Sequence, residues 1–140
     1  MPISHINEFF GFLNSYGFKG PYEYQYGRWE GEYYVKGKII VDFSFDGYWS
    51  ADIMKTKKYY KDLEDGKIKP YSNQIKLHHS NNLRFLDHER TIRKPINFDN
   101  DHDKELNYYS KLIKDNTEIL EGNFEKFSII YPLLRLLHIK

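Results

Sequence analysis

Apolar and polar side chains alternate along the first half of the chain, which is typical of β-strands that bury one face. The run YEYQY at 22–26 has this pattern and predicts a first strand. Three further strands are predicted over about 28–35, 38–45 and 49–55, with only short connections between them. Strands joined by such short connections pair as antiparallel hairpins, so the pattern predicts a meander.

One of these connections contains two signals that conflict. In VDFSFDGYWSADI at 41–53, the pair Asp46-Gly47 is the usual signal for a two-residue hairpin turn. Such a turn would place Trp49 opposite Ser44, and the apolar rows of the two strands would then point to opposite faces of the sheet. The register of this hairpin therefore decides which side chains are buried.

The apolar pattern is the stronger signal, because burying each large apolar side chain contributes roughly 1.5–3 kcal/mol. We therefore predict three-residue loops at 36–38 and 46–48, or two-residue turns each followed by a bulge. The odd-numbered apolar residues then form one continuous buried face, which consists of Trp29, Tyr33, Val35, Ile39, Val41, Phe43, Phe45, Trp49, Ala51 and Ile53.

The opposite face of the sheet would then be polar and free. It combines acidic side chains with tyrosines, and the candidate partner-binding residues are Glu30, Glu32, Tyr34, Asp42, Asp46, Tyr48 and Asp52. Acidic groups steer a basic protein toward such a surface, and tyrosines are effective interface anchors. Two other interpretations stay open: a solvated outer face without a partner, and a carboxylate active site.

Apolar residues at helical spacing predict a first helix of about 12 residues, which begins at Ser4 and ends at Gly17. A second helix is predicted over about 102–121, with Asp101 or Asn100 as its N-cap. The elements predict a single α+β domain covering the whole chain. In it, an antiparallel sheet of about four to six strands has the N-terminal and C-terminal helices packed on one face.

Signals outside these elements are weaker. Gly122 is predicted to end the second helix, and Asn123 to cap a last helix that Pro132 kinks or divides. The middle of the chain, 56–98, is predicted to begin with a short helix or loop and to contain a second hairpin around the residues at 80–82.

Composition limits the partners and the compartment. The 140 residues have a net charge of +1, so no global field would attract nucleic acid. The absence of cysteine excludes disulfides and makes a reducing compartment the default. The sequence shows no signal peptide and no apolar run of membrane length. We therefore expect a cytoplasmic protein that binds neither nucleic acid nor membrane and is a monomer or a weak homodimer.

Known catalytic motifs are absent from the sequence. It contains neither a G-x-S-x-G nucleophile elbow nor a glycine-rich phosphate loop, so we expect no catalytic residues and no cofactor. The acidic run DNDHDKE at 99–105 lacks the glycine of a calcium loop and suits a helix N-terminus instead. His78 and His79 would point to opposite faces of a strand, so no metal site is predicted.

Three segments together carry a family resemblance: ILEGNF at 119–124, after the second helix, and the sheet segments YYVKGKIIVDFSF at 33–45 and WSADI at 49–53. With them, the chain resembles the small immunity proteins of bacterial polymorphic-toxin and contact-dependent growth inhibition systems. The resemblance implies a non-enzymatic cytoplasmic protein that binds and neutralises one cognate toxin, and it assigns no site residues.

Two other functions remain open. The first is a small-ligand-binding protein or a hydrolase that uses carboxylates such as Asp42 and Asp52; a deep pocket holding two carboxylates with shifted pKa values would favour it. The second is an assembly protein that associates with copies of itself through an edge strand.

Overall fold

The computed structural model describes residues 6–87, 98 and 101–127. Five strands are present: Lys19–Tyr26 (β1), Trp29–Lys36 (β2), Ile39–Phe45 (β3), Trp49–Thr56 (β4) and Leu77–Asn82 (β5). The α-helices are Ile6–Phe10 (α1), Lys61–Glu64 (α2) and His102–Lys114 (α3), and 3₁₀ turns cover Gly11–Tyr16, Leu83–Leu86, Thr117–Glu121 and Glu125–Phe127.

The strands form one antiparallel meander in the order β1-β2-β3-β4-β5. Consecutive strands are neighbours because every connection from β1 to β4 is a tight hairpin turn. The α+β prediction, with an antiparallel sheet and helices, is therefore confirmed. The bounds of β2, β3 and β4 agree with the predicted ones to within one residue, and β1 begins three residues before the predicted run at 22–26.

The helical segments end at the predicted glycines, although the first predicted helix is an α-helix only over Ile6–Phe10 and continues as the 3₁₀ turn Gly11–Tyr16. Gly17 and Gly122 both adopt the left-handed conformation, with φ of +94° and +88°, where the N-terminal and C-terminal helical segments end. The Asp101 side chain caps α3 by accepting a hydrogen bond from the Lys104 N–H at 3.1 Å. The other predicted caps, Ser4 and the residue at 100, lie outside the described residues.

The predicted second helix is shorter as an α-helix than expected. α3 ends at Lys114, and a 3₁₀ turn covers Thr117–Glu121. The Asn116 amide side chain donates to the Leu112 carbonyl at 2.8 Å, and the Asn116 backbone N–H bonds to Ile113 instead. An Asn side chain that takes a helix carbonyl in this way competes with the next backbone bond and ends the α-helix.

The hairpin between β2 and β3 differs from the prediction. Val35 pairs with Ile40 and Lys36 with Ile39, so the turn has two residues and no bulge follows it. Gly37 has φ of +60°, which a tight hairpin turn favours and which glycine adopts at little cost. The predicted loop at 36–38 is wrong, and odd-numbered residues of β2 pair with even-numbered residues of β3.

The hairpin between β3 and β4 agrees with the prediction. Phe45 pairs with Trp49, and the loop between them has the three residues at 46–48. The Trp49 side chain is 1% exposed and packs in the same cluster as Phe43. Here the apolar pattern decided the register, and the Asp46-Gly47 signal belongs to a longer loop.

These two registers give the sheet two different faces. The helix-covered face packs against α1, α3 and the 3₁₀ turns, and its buried sheet residues are Tyr34, Ile39, Val41, Phe43, Trp49, Ala51 and Ile53. The tyrosine face holds the buried residues Tyr33, Val35, Ile40, Asp42 and Met54, and residues 57–76 pack on part of it through Leu63 and Ile75. The predicted placement of Trp29, Tyr33 and Val35 on the helix-covered face is wrong.

The remaining predictions concern the middle and the end of the chain. The short helix expected in the middle is α2, but the expected hairpin around 80–82 is wrong: β5 runs through these residues and continues into the 3₁₀ turn Leu83–Leu86. The Asn82 side chain accepts from the Arg84 N–H at 2.9 Å and starts that turn. Most of the predicted last helix lies outside the described residues.

Candidate functional site: a carboxylate pair and a polar cleft on the tyrosine face

The seven predicted partner-binding residues do not share one exposed face. The two-residue turn after β2 places Glu30, Glu32 and Tyr34 on the helix-covered face, away from Asp42 and Asp52. Tyr34 is 0% exposed and Glu32 is 4% exposed. The prediction of a single acidic outer surface is therefore wrong, because it depended on an odd-numbered loop at 36–38.

Glu32 is buried without full compensation. Its Oε2 atom has no hydrogen-bond partner among the described residues. Burial, with a smaller contribution from the negative charge of the cross-strand neighbour Glu23, raises the pKa of Glu32 to about 7. The adjacent Tyr34 hydroxyl donates to Asn7 Oδ1 at 2.9 Å, which links β2 to α1. Both side chains are part of the structural core.

Asp42 and Asp52 face each other across β3 and β4 on the tyrosine face. Asp42 is fully buried, and Asp52 is half-buried. Among the described residues, neither carboxylate forms an ion pair. Two adjacent buried acids without a cationic partner are costly in the ionised form, so neighbouring groups must stabilise them.

Two tyrosine hydroxyls provide that stabilisation. Tyr24 on β1 donates to Asp42 Oδ1 at 2.7 Å. The Tyr71 hydroxyl comes from residues 57–76, the covering segment that packs on part of this face. It lies 3.1 Å from Asp42 Oδ2 and 3.4 Å from Asp52 Oδ2. A phenol has one proton to donate, so Tyr71 satisfies both carboxyl groups best when one of them is protonated.

The pKa values agree with this geometry. Burial is the main cause that raises the pKa of Asp42 to about 7; the Tyr24 hydrogen bond opposes this shift, and the nearby charge of Asp52 contributes to it. Burial also raises the pKa of Asp52 to about 6, against the effect of the Tyr71 hydrogen bond. The tyrosine pKa values move upward as well, first through burial and then through the nearby Asp42 carboxylate.

Gly31 makes room for this arrangement. It lies on β2 opposite Tyr24, and a Cβ atom at this position would overlap the Tyr24 ring. The Tyr24 ring crosses over the glycine, so the Tyr24 hydroxyl reaches from β1 across β2 to Asp42 on β3. Glycine in a strand interior often marks such a close approach.

Tyrosine hydroxyls also hold the covering segment, 57–76, on the sheet. The Tyr33 hydroxyl lies 2.8 Å from the Leu63 carbonyl and 2.9 Å from the Ile68 carbonyl. Tyr22 donates to the Glu64 carbonyl at 2.9 Å. These contacts position Tyr71 over the carboxylate pair, and no pattern in the middle of the chain had indicated its role.

Beyond the covering segment, the tyrosine face opens into a cleft of about 590 Å³. Its floor is formed by strand residues and its walls by aromatic and charged side chains; the lining residues are Arg28, Trp29, Ser44, Asp46, Tyr48, Ser50, Asp52, Tyr71 and Ser80. Of the predicted binding residues, this cleft brings together Asp46, Tyr48 and Asp52.

The aromatic side chains at the cleft are exposed, yet Trp29 is held in place. Trp29 is 43% exposed and Tyr48 is 65% exposed. The Trp29 indole N–H donates to Asp46 Oδ2 at 2.9 Å, and the Tyr26 ring stacks on Trp29 at 6.0 Å between centroids. The ring is thus fixed before any partner arrives.

The histidine prediction is also corrected. A register shift near Lys55 in the β4–β5 pair brings the rings of His78 and His79 to 4.2 Å, so they do not point to opposite faces. In the part of the chain that the structure describes, no three His, Cys, Asp or Glu side chains come together as metal ligands.

The arrangement suits binding better than proton transfer. Only Asp52 of the carboxylate pair reaches the cleft, since Asp42 is 0% exposed. The cleft offers hydroxyl and carboxylate acceptors beside the aromatic rings of Trp29 and Tyr48, and such a surface can recognise a polar or cationic group.

Comparison of the chain with protein-family models, with curated proteins and with solved structures finds no match. Within the described residues, no helix is both long enough and apolar enough to cross a bilayer. The functional proposal therefore depends on the site itself and on the resemblance drawn from the sequence.

Proposed function

We propose that the chain is a non-enzymatic immunity-type protein of the bacterial cytoplasm, which binds and neutralises a cognate toxin domain through the cleft on the tyrosine face. The observation that supports this proposal is the combination of two exposed aromatic rings, of which Trp29 is held by a hydrogen bond and by stacking, with acidic side chains in one concave surface. Trp29 and Tyr48 are at its rim, and Asp46 and Asp52 are within it.

Interfaces are anchored by a few aromatic side chains, and tyrosine and tryptophan are enriched among them. Trp29 is held by its bond to Asp46, so little conformational entropy is lost when a partner packs against the ring. The serine hydroxyls on the cleft floor, Ser44 and Ser50, can complete hydrogen bonds to the partner.

The proposed surface contains only some of the residues that the sequence predicted to bind a partner. Asp46, Tyr48 and Asp52 would contact the toxin directly. Asp42 would support the cleft from below, because its carboxyl group binds the same Tyr71 hydroxyl as Asp52.

The proposal predicts that this gene lies directly downstream of a gene for a large modular toxin, and an isolated metabolic operon would contradict it. Co-expression with that toxin domain is the direct test. The wild-type protein should restore growth, and the double variant Trp29→Ala, Tyr48→Ala should restore it far less at equal protein level. Tyr16→Ala is the matched control, because Tyr16 is 41% exposed but does not line the cleft. Full protection by the double variant would contradict this choice of surface, and no protection by the wild type would contradict the function.

A small-ligand-binding or carboxylate-hydrolase function is the second candidate, favoured by the raised pKa values of Asp42 and Asp52 beside a cleft. The full burial of Asp42 counts against a two-carboxylate mechanism. Hydrolysis of a glycoside or ester panel that Asp52→Asn abolishes would establish this function instead.

A further inference from the structure

Building on the proposed function, we infer that the cleft receives a cationic side chain, a guanidinium or an ammonium group, which projects from the partner protein. It would lie between Asp46 and Asp52, against the ring of Trp29. The toxin-binding proposal names the partner; this inference names the group that enters the cleft.

The charge balance of the tyrosine face supports a cation. Asp42 and Asp52 face each other, and neither forms an ion pair among the described residues. Tyrosine hydroxyls donate hydrogen bonds but supply no positive charge. A cation at the open side of Asp52 would supply it in a site that is partly shielded from water, where the attraction is stronger.

The cation already present at the cleft can be displaced. Arg28 Nε lies 3.4 Å from Asp46 Oδ2, but the Arg28 side chain is 86% exposed. Exposed pairs of this kind contribute little to stability, so a partner can replace Arg28 at Asp46 without a large loss.

The aromatic walls favour the same chemistry. Cations are attracted to the faces of tryptophan and tyrosine rings, with tryptophan the strongest. Tyr26, which stacks on Trp29, already has Lys69 Nζ 5.0 Å from its ring centroid. The serine hydroxyls of the floor can accept the remaining N–H groups of a guanidinium.

An NMR titration of the full ¹⁵N-labelled chain tests this inference, with N-acetyl-arginine amide as the probe and N-acetyl-citrulline amide as its uncharged control. The Trp29 indole N–H should shift and saturate with arginine, while the buried Trp49 indole serves as an internal reference. Citrulline should bind roughly tenfold more weakly, since it lacks the charge.

Two variants sharpen the test. Asp52→Asn should weaken arginine binding several-fold, while Glu121→Gln, which removes an exposed carboxylate outside the cleft, should leave it unchanged. The ¹⁵N spectrum of each variant shows whether it is folded. If Asp52→Asn is unfolded, Asp46→Asn takes its place in the test and should also weaken arginine binding. Equal binding of arginine and citrulline, or no shift at Trp29, would overturn the inference.

The two proposals can fail separately. If the Trp29 and Tyr48 double variant loses protection but arginine binds no better than citrulline, the cation inference fails and the toxin-binding proposal stands. If arginine binds as expected and the double variant still protects fully, the cleft takes a cation but is not the toxin-binding surface.

Discussion

The two faces of the sheet are stabilised in different ways. On the helix-covered face, Phe43 lies 4.0 Å from Phe10 between ring centroids and belongs to a large apolar cluster, although its cross-strand neighbour Glu32 is a buried acid. On the tyrosine face, buried carboxyl groups are satisfied by hydroxyls from β1 and from the covering segment. A strand can therefore bury both faces when polar side chains on one of them find donors.

This difference has a functional consequence. The helix-covered face is closed by α1 and α3 over its apolar cluster and the buried Glu32, whereas the tyrosine face leaves two carboxyl groups without a cation beside an open cleft. For this reason we propose the tyrosine face as the binding surface, and the following predictions test the contrast between the two faces.

The largest effect is expected in the helix-covered core. Phe43→Ala should lower the free energy of unfolding by about 3–5 kcal/mol, because it leaves a cavity between Phe10 and Tyr34. Urea denaturation measures this loss. A loss below about 1 kcal/mol would show that this face is not packed as described.

The next largest effect is the pH dependence that Asp42 confers. Its pKa is raised to about 7 in the folded protein, so the folded state holds this proton more tightly than the unfolded state does. The resulting stability is complete below the unfolded pKa near 4 and is lost as the pH rises through 7. The total change for this group is about 2–4 kcal/mol.

Asp42→Asn removes the titrating group and should flatten this dependence. Urea denaturation of both proteins between pH 4.5 and pH 8 provides the comparison. The wild-type protein should lose stability more steeply than the variant, although Glu32 and Asp52 contribute in the same direction. Parallel curves would show that Asp42 does not titrate as a buried acid.

Gly31→Ala should destabilise the protein by about 1–3 kcal/mol, because the new methyl group displaces the Tyr24 ring from Asp42. A double-mutant cycle with Tyr24→Ala gives a matched control. In the Tyr24→Ala background the Gly31 substitution should cost much less, since the clash is gone. If Gly31→Ala lowered the free energy of unfolding equally in both backgrounds, the new methyl group would not clash with the Tyr24 ring.

The smallest effect on stability is expected at the rim of the cleft. Tyr48→Ala should change the free energy of unfolding by less than about 0.5 kcal/mol, because the side chain is 65% exposed. Thermal unfolding followed by circular dichroism measures this value. A large loss would mean that Tyr48 serves the fold and is not held available for a partner.

The meander could be predicted from the alternation of apolar and polar residues and from the turn residues. The register of β3 and β4, in which Phe45 pairs with Trp49, could be predicted from the apolar pattern alone. The β2–β3 register could not, because both faces of these strands are buried. Tyr34 with Val41 and Val35 with Ile40 form buried cross-strand pairs on opposite faces, so apolar burial does not select between the two registers. The tight turn at Gly37 decided it.

The candidate site was only partly predictable for the same reason. Asp42 and Asp52 share a face whichever register β2 and β3 adopt, because that face is set by the pairing of β3 with β4. Their burial depends on Tyr71, which lies in a segment without periodic pattern. Trp29 was expected in the core and is instead exposed at the cleft. Long-range contacts from an irregular segment leave no local signal in the sequence.

Asp42 and Asp52 form an adjacent carboxyl pair beneath Tyr24 and Tyr71, with Asp42 fully buried and Asp52 half-buried at the cleft. Carbon-13 NMR of the side-chain carboxyl groups across a pH titration tests it most directly. Both aspartates are expected to titrate with raised pKa values, about 7 for Asp42 and about 6 for Asp52. Titration of both groups near pH 4, as for solvated aspartates, would contradict it.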